Sequence, residues 1–122
     1  GVMAVQSTSP YHAKKAFISI GKTVSAAGFP HVEQYRQNIP SFGEWGWTVA
    51  SKQKISVRQR LLAMKSLSAE HRWLTRDLVI ASFEFPKDFF QDDDVKINTL
   101  GTNQIYQYHS EAWKSELGLY LD

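Results

Sequence analysis

The sequence predicts an α/β fold: a strand, a helix, an antiparallel strand pair, then C-terminal helices. Three observations predict it. Val2-Met3-Ala4-Val5 is an apolar run with no turn before it. It reads as a buried strand of a parallel sheet, covered on both faces, that has lost what came before it, or as a strand at the sheet's edge. Ala13, Ala16, Phe17, Ile20, Val24 and Ala27 then recur at three- and four-residue spacing, which marks an amphipathic helix. Two stretches of strand formers, 29–39 and 45–50, flank Pro40-Ser41-Phe42-Gly43-Glu44, which reads as the tight turn of an antiparallel pair. A parallel βα unit followed by such a pair fits the last part of a doubly wound sheet.

Each element has its local signals. Ser9 suits an N-cap, and Pro10 suits the first helical position because its missing N–H is not needed there. Gly28 stands where a left-handed C-terminal cap belongs. From Lys52 a basic segment (Lys52, Lys54, Arg58, Arg60, Lys65) carries Ile55, Leu61, Leu62 and Met64 and reads as a short helix. Leu74 to Phe83 reads as another, capped by Thr75, with Leu78, Val79 and Phe83 on one face and Phe85-Pro86 as its stop. Lys87 to Gly101, with Asp92-Asp93-Asp94, reads as a loop. Thr102 to Leu117 reads as a final helix with Ile105, Tyr106, Tyr108, Trp113 and Leu117 apolar. The expected division is residues 1–52 as core and 53–122 as a helical extension packed on the same domain.

Composition narrows the function. A chain of 122 residues with 43% apolar and 21% charged residues makes one globular domain. Fourteen Lys+Arg against twelve Asp+Glu leave +2, without the basic stripe of a nucleic-acid binder. With no cysteine there is no disulfide framework, thiolate nucleophile or Cys-ligated metal, as fits a reducing compartment. No apolar run approaches the roughly 20 residues that cross a bilayer, and the start lacks the charged region and cleavage site of a signal peptide.

The motifs exclude more than they select. His12, His31, His71 and His109 share no metal-ligand spacing, so no metal site is expected. No GxSxG turn presents a serine, and Gly43-Glu44-Trp45-Gly46 is not a phosphate cradle. The three aspartates read as a solvated acidic loop. Tyr106, Tyr108 and Trp113 read as core at helical spacing. The unusual stretch is Ile39-Pro-Ser-Phe-Gly-Glu-Trp-Gly-Trp47. It is either a hairpin whose aromatics pack on a helix, or an aromatic box with one anion, suited to an organic cation or amine.

Val5-Gln-Ser-Thr-Ser-Pro-Tyr11, then a helix, then Ile39-Pro-Ser-Phe-Gly-Glu-Trp-Gly-Trp47 running into Ala50-Ser-Lys52, resembles the carboxyl-terminal half of spermidine synthases. These are aminopropyltransferases, and the resemblance is to the bacterial branch with a membrane-spanning segment ahead of the synthase domain. The tail matches too, through Leu74-Thr-Arg-Asp-Leu-Val-Ile-Ala-Ser-Phe-Glu-Phe-Pro-Lys-Asp88 and Ile97-Asn-Thr-Leu100. The resemblance implies a Rossmann-like, methyltransferase-type sheet. It also implies transfer of an aminopropyl group from decarboxylated S-adenosylmethionine to an amine such as putrescine. The family's glycine-rich nucleoside loop, ribose-binding acid and paired aspartates match no position here, so no catalytic or cofactor-binding residue is expected in this chain.

What the resemblance carries over is an amine pocket. Gln6 matches a glutamine near the amine, while Thr8 stands where many relatives have a glutamate. Phe42 occupies the place of a tyrosine that faces the amine, and lacks its hydroxyl. Glu44 replaces a frequent glutamine. Trp45 and Trp47 wall the pocket or pack the hairpin. The implied reading is a C-terminal fragment, inactive alone, of a cytoplasmic enzyme whose parent is anchored to the inner membrane. The alternative is a non-catalytic interaction module that keeps the scaffold; a related methyltransferase piece is disfavoured by the PSFGEWGW turn. A bare first strand further predicts a homo-oligomer.

Overall fold

A computed structural model describes residues 1–91 and 94–118. Asp92 and Asp93 of the acidic run lie outside the described residues, as do residues 119–122. The order is β1 (Val2–Gln6), α1 (Lys14–Ala26), β2 (His31–Ile39), β3 (Gly43–Ser51), α2 (Val57–Ala63), α3 (Arg76–Ala81) and α4 (Gln104–Glu116). The strands form one sheet in the order β1-β3-β2, antiparallel throughout. This is the α/β arrangement of a partial Rossmann-like fold, with the strand, helix and antiparallel pair in the expected order.

Strand alternation gives the sheet two differently dressed faces. On one, Gly46, Thr48 and Ala50 of β3 lie beside Gln34 and Arg36 of β2, and α1 covers them. The fit is close because Gly46 has no side chain. A Cβ there would stand 2.3 Å from Phe17 Cε1. Phe17 is fully buried, which is worth about 1.5–3 kcal/mol for such a side chain. Polar groups under α1 are satisfied in sequence. Gln34 Nε2 donates to the Phe17 carbonyl at 2.7 Å and to Thr48 Oγ1 at 2.9 Å. Thr48 Oγ1 in turn lies 2.7 Å from Ser7 Oγ, which donates to the Val5 carbonyl.

The outer side of α1 meets the tail. Phe17, Ile18, Phe89 and Val95 form the buried cluster, with Phe85 and Tyr108 against it. Ser19 Oγ donates to the Lys96 carbonyl at 2.6 Å, and the Asn98 N–H donates to Thr23 Oγ1 at 2.8 Å. The 95–98 strip is thus stitched along the helix, and α4 packs beyond it. On the opposite face of the sheet, α2 packs against β2 and β3. Its Ser56–Gln59 capping box and the Thr75 cap of α3, which accepts from the Leu78 N–H, set both helix starts.

Two expectations change, and of the two readings of β1 this chain shows the edge strand. It pairs antiparallel with β3 alone, and four of its five residues are exposed, because among the described residues nothing lies along its other edge. Ser9 does cap a turn, accepting from the His12 N–H at 3.2 Å, but the helix proper begins at Lys14, after that turn. Tyr106 is 65% and Leu117 67% exposed, because α4 covers the protein with one narrow stripe and buries no residue fully. Gly28, at φ +104°, ends α1 in the left-handed region as expected.

Candidate functional site

The candidate residues meet at one end of the sheet. β1 ends at Gln6, opposite Trp47 in the register, and β3 begins where the β2–β3 turn closes. The ladder continues past the strand: the Ser7 N–H donates to the Gly46 carbonyl, and the Gly46 N–H to the Thr8 carbonyl, both at 2.8 Å. Thr8, at φ +60°, then swings the chain off the sheet. Its hydroxyl is buried without a hydrogen-bond partner. The turn is closed by the Phe42 N–H donating to the Ile39 carbonyl at 2.9 Å, with Ser41 at φ +77° and Gly43 at φ +81°.

The five sequence-derived residues divide within that end. Gln6, Trp45 and Trp47 share one face by register and alternation. Gln6 is exposed. Trp45 is partly buried, and its Nε1–H has no acceptor. Trp47 stacks on Tyr35 with centroids 5.5 Å apart at 13°. Phe42, 72% exposed, sits at the turn tip with its ring 6.3 Å from Trp45. Glu44 alternates to the other face, where its Oε2 lies 3.3 Å from Arg36 Nη1. The carboxylate and the two indoles therefore do not enclose one volume, although all five residues lie at the same end.

Two hollows flank this end. A groove of about 590 Å³ runs between the sheet and α2–α3, walled by Tyr35, Trp47, Val49, Leu61, Val79 and Phe83 with no charged lining residue. It suits apolar matter; burial also pushes the Tyr35 hydroxyl pKa up. The smaller hollow, about 180 Å³, holds Arg36 and Glu44 beside Leu78 and Ser82. Sequence reasoning missed Arg36. Its signal is the hairpin register: Arg36 faces Gly46 and Asn38 faces Glu44, so Arg36 and Glu44 are diagonal same-face neighbours of opposite charge. Among the described residues, no three His, Asp or Glu side chains gather as a metal site, and no helix is long and apolar enough to cross a membrane.

The sheet and its helices make this chain part of an α/β domain of Rossmann-like type. In sequence it is homologous to the polyamine aminopropyltransferases along nearly its whole length. It is 50% identical over 122 residues to the polyamine aminopropyltransferase of Shewanella oneidensis, covering 99% of this chain and 21% of that protein. The Oceanobacillus iheyensis polyamine aminopropyltransferase is 31% identical over 118 residues, 94% of this chain and 22% of its own length. That of Mycobacterium tuberculosis is 33% identical over 113 residues, 93% of this chain and 21% of its own length. The chain thus spans about a fifth of the length of the curated relatives it matches. No family model matches it.

Proposed function

We propose that this chain is the C-terminal part of a polyamine aminopropyltransferase of the spermidine synthase type, and that it supplies the amine end of the active site. The supporting observation is the two-way bonding of Gly46 to Ser7 and Thr8 at 2.8 Å. It holds the PSFGEWGW turn against the end of β1, so that Gln6, Phe42, Glu44, Trp45 and Trp47 occupy one end of the sheet. In this reading Gln6 offers an acceptor on the face that carries the two indoles, Glu44 offers one on the other face at the same end of the sheet, and the aromatic faces attract the cationic far end of the amine. The reaction joins the amine nitrogen to the carbon beside the sulfonium of decarboxylated S-adenosylmethionine. The C–S bond breaks, methylthioadenosine leaves, and the amine proton passes to a base outside this chain. Positioning supplies much of such a rate. The nucleoside end and the base belong to the rest of the parent, a cytoplasmic enzyme held at the inner membrane by an upstream segment. Alone, the chain is inactive.

The test uses the full-length protein. Gln6→Ala, Phe42→Ala and Glu44→Gln should each raise KM for a diamine by about tenfold, leaving KM for the sulfonium co-substrate unchanged. The 122-residue chain should give no calorimetric signal with methylthioadenosine. Three variants with wild-type amine kinetics would remove the pocket assignment. A full-length protein that transfers no aminopropyl group would favour the non-catalytic interaction module.

A further inference from the structure

Arg36 joins four segments of the chain. Its Nη1 lies 3.3 Å from Glu44 Oε2, at the start of β3. Its Nε donates to the Glu84 carbonyl, behind α3, at 3.0 Å. Its guanidinium carbon lies 5.4 Å from the centroid of Tyr11, in the β1–α1 turn, and 5.5 Å from that of Phe85. The Arg36 backbone N–H adds a bond to the Ser82 carbonyl at 2.9 Å. The side chain is partly buried, 29% exposed, as is Glu44 at 28%. A guanidinium can do all this at once because its rim donates in the plane while its faces accept aromatic rings. The Glu84 carboxylate does not compete for it, being paired with Arg58.

We propose that Arg36 is a positioning residue of the amine end. It locks the β2–β3 turn to the β1–α1 turn and to the segment behind α3, and it holds Glu44 by one oxygen, so that Oε1 remains for a ligand. The inference rests on the function proposed above.

The test combines two measurements on Arg36→Gln and Arg36→Lys. In the full-length protein, amide exchange at residues 42–47 should speed up by about tenfold while residues 16–21 of α1 keep their protection. In the full-length protein, KM for a diamine should rise by about tenfold, with kcat and KM for the sulfonium co-substrate within about twofold. Lysine should not rescue, since an ammonium lacks the flat faces and the fork. Arg36→Gln combined with Glu44→Gln should cost no more than the worse single change. Unchanged exchange at 42–47 overturns the lock. Faster exchange with a loss in kcat alone, or with additive losses in the double variant, overturns the positioning role. An inactive wild-type full-length protein overturns the function proposed above, whereas the exchange result still decides the lock by itself.

Discussion

At Gly46 a single hydrogen decides how closely α1 can approach the sheet. A Cβ there meets Phe17 Cε1 at 2.3 Å and the Thr8 carbonyl oxygen at 3.0 Å, and neither can retreat: Phe17 is fully buried, and Thr8 is held by its bond to Gly46. Gly46→Ala should therefore destabilise the chain by about 1–3 kcal/mol, the usual cost of overpacking. Urea unfolding measures it, with Gly101→Ala, which meets nothing within 4 Å, staying within about 0.5 kcal/mol of the parent chain. Phe17→Leu should recover part of the loss. The sequence displays the glycine but not its reason, since a residue 29 positions upstream in the chain becomes its neighbour only after folding. Arg36 was hidden differently. It carries no motif, and its pairing with Glu44 follows only from a register that the turn length sets.

At the level of elements, periodicity was a good guide where one face is plainly apolar. The spacing in α1, the Gly28 stop and the Thr75 cap all read correctly, because each depends on residues within a turn or two. For β1 two readings stayed open because an apolar run states what a strand prefers, not what covers it. α4 misread in part because amphipathic aromatics such as Tyr106 can lie at core spacing and still face water. On the other face of the sheet, the Tyr35–Trp47 stack lines the groove beside α2 and α3, and burial raises the pKa of the Tyr35 hydroxyl. A raised folded-state value means that Tyr35 favours the fold fully below its ordinary pKa of about 10. That contribution fades as pH climbs through the raised value. Thermal melts should therefore decline more steeply above pH 10 in the parent chain than in Tyr35→Phe. Parallel declines would show that other groups control alkaline unfolding.

At the scale of the whole chain, one edge of β1 has no strand beside it among the described residues. Val2 is 50% and Val5 39% exposed, and among the described residues the strand pairs only with β3. Unpaired strand edges recruit other strands. The 122-residue chain should accordingly form dimers or larger species, and Val5→Lys should shift them to monomer. Light scattering across a concentration series decides this; a monomer at every concentration would mean the edge is inert. The same strand also sets an order of events. The β2–β3 hairpin closes over a turn of a few residues, whereas Ser7 and Thr48 touch across 41 positions. Short loops close early and long ones late. β1 therefore leaves the ribosome before β3 and must wait for it, with the hydrogen-bonding groups of that one edge unspent. Of the three strands described, the earliest made is the latest to join β3.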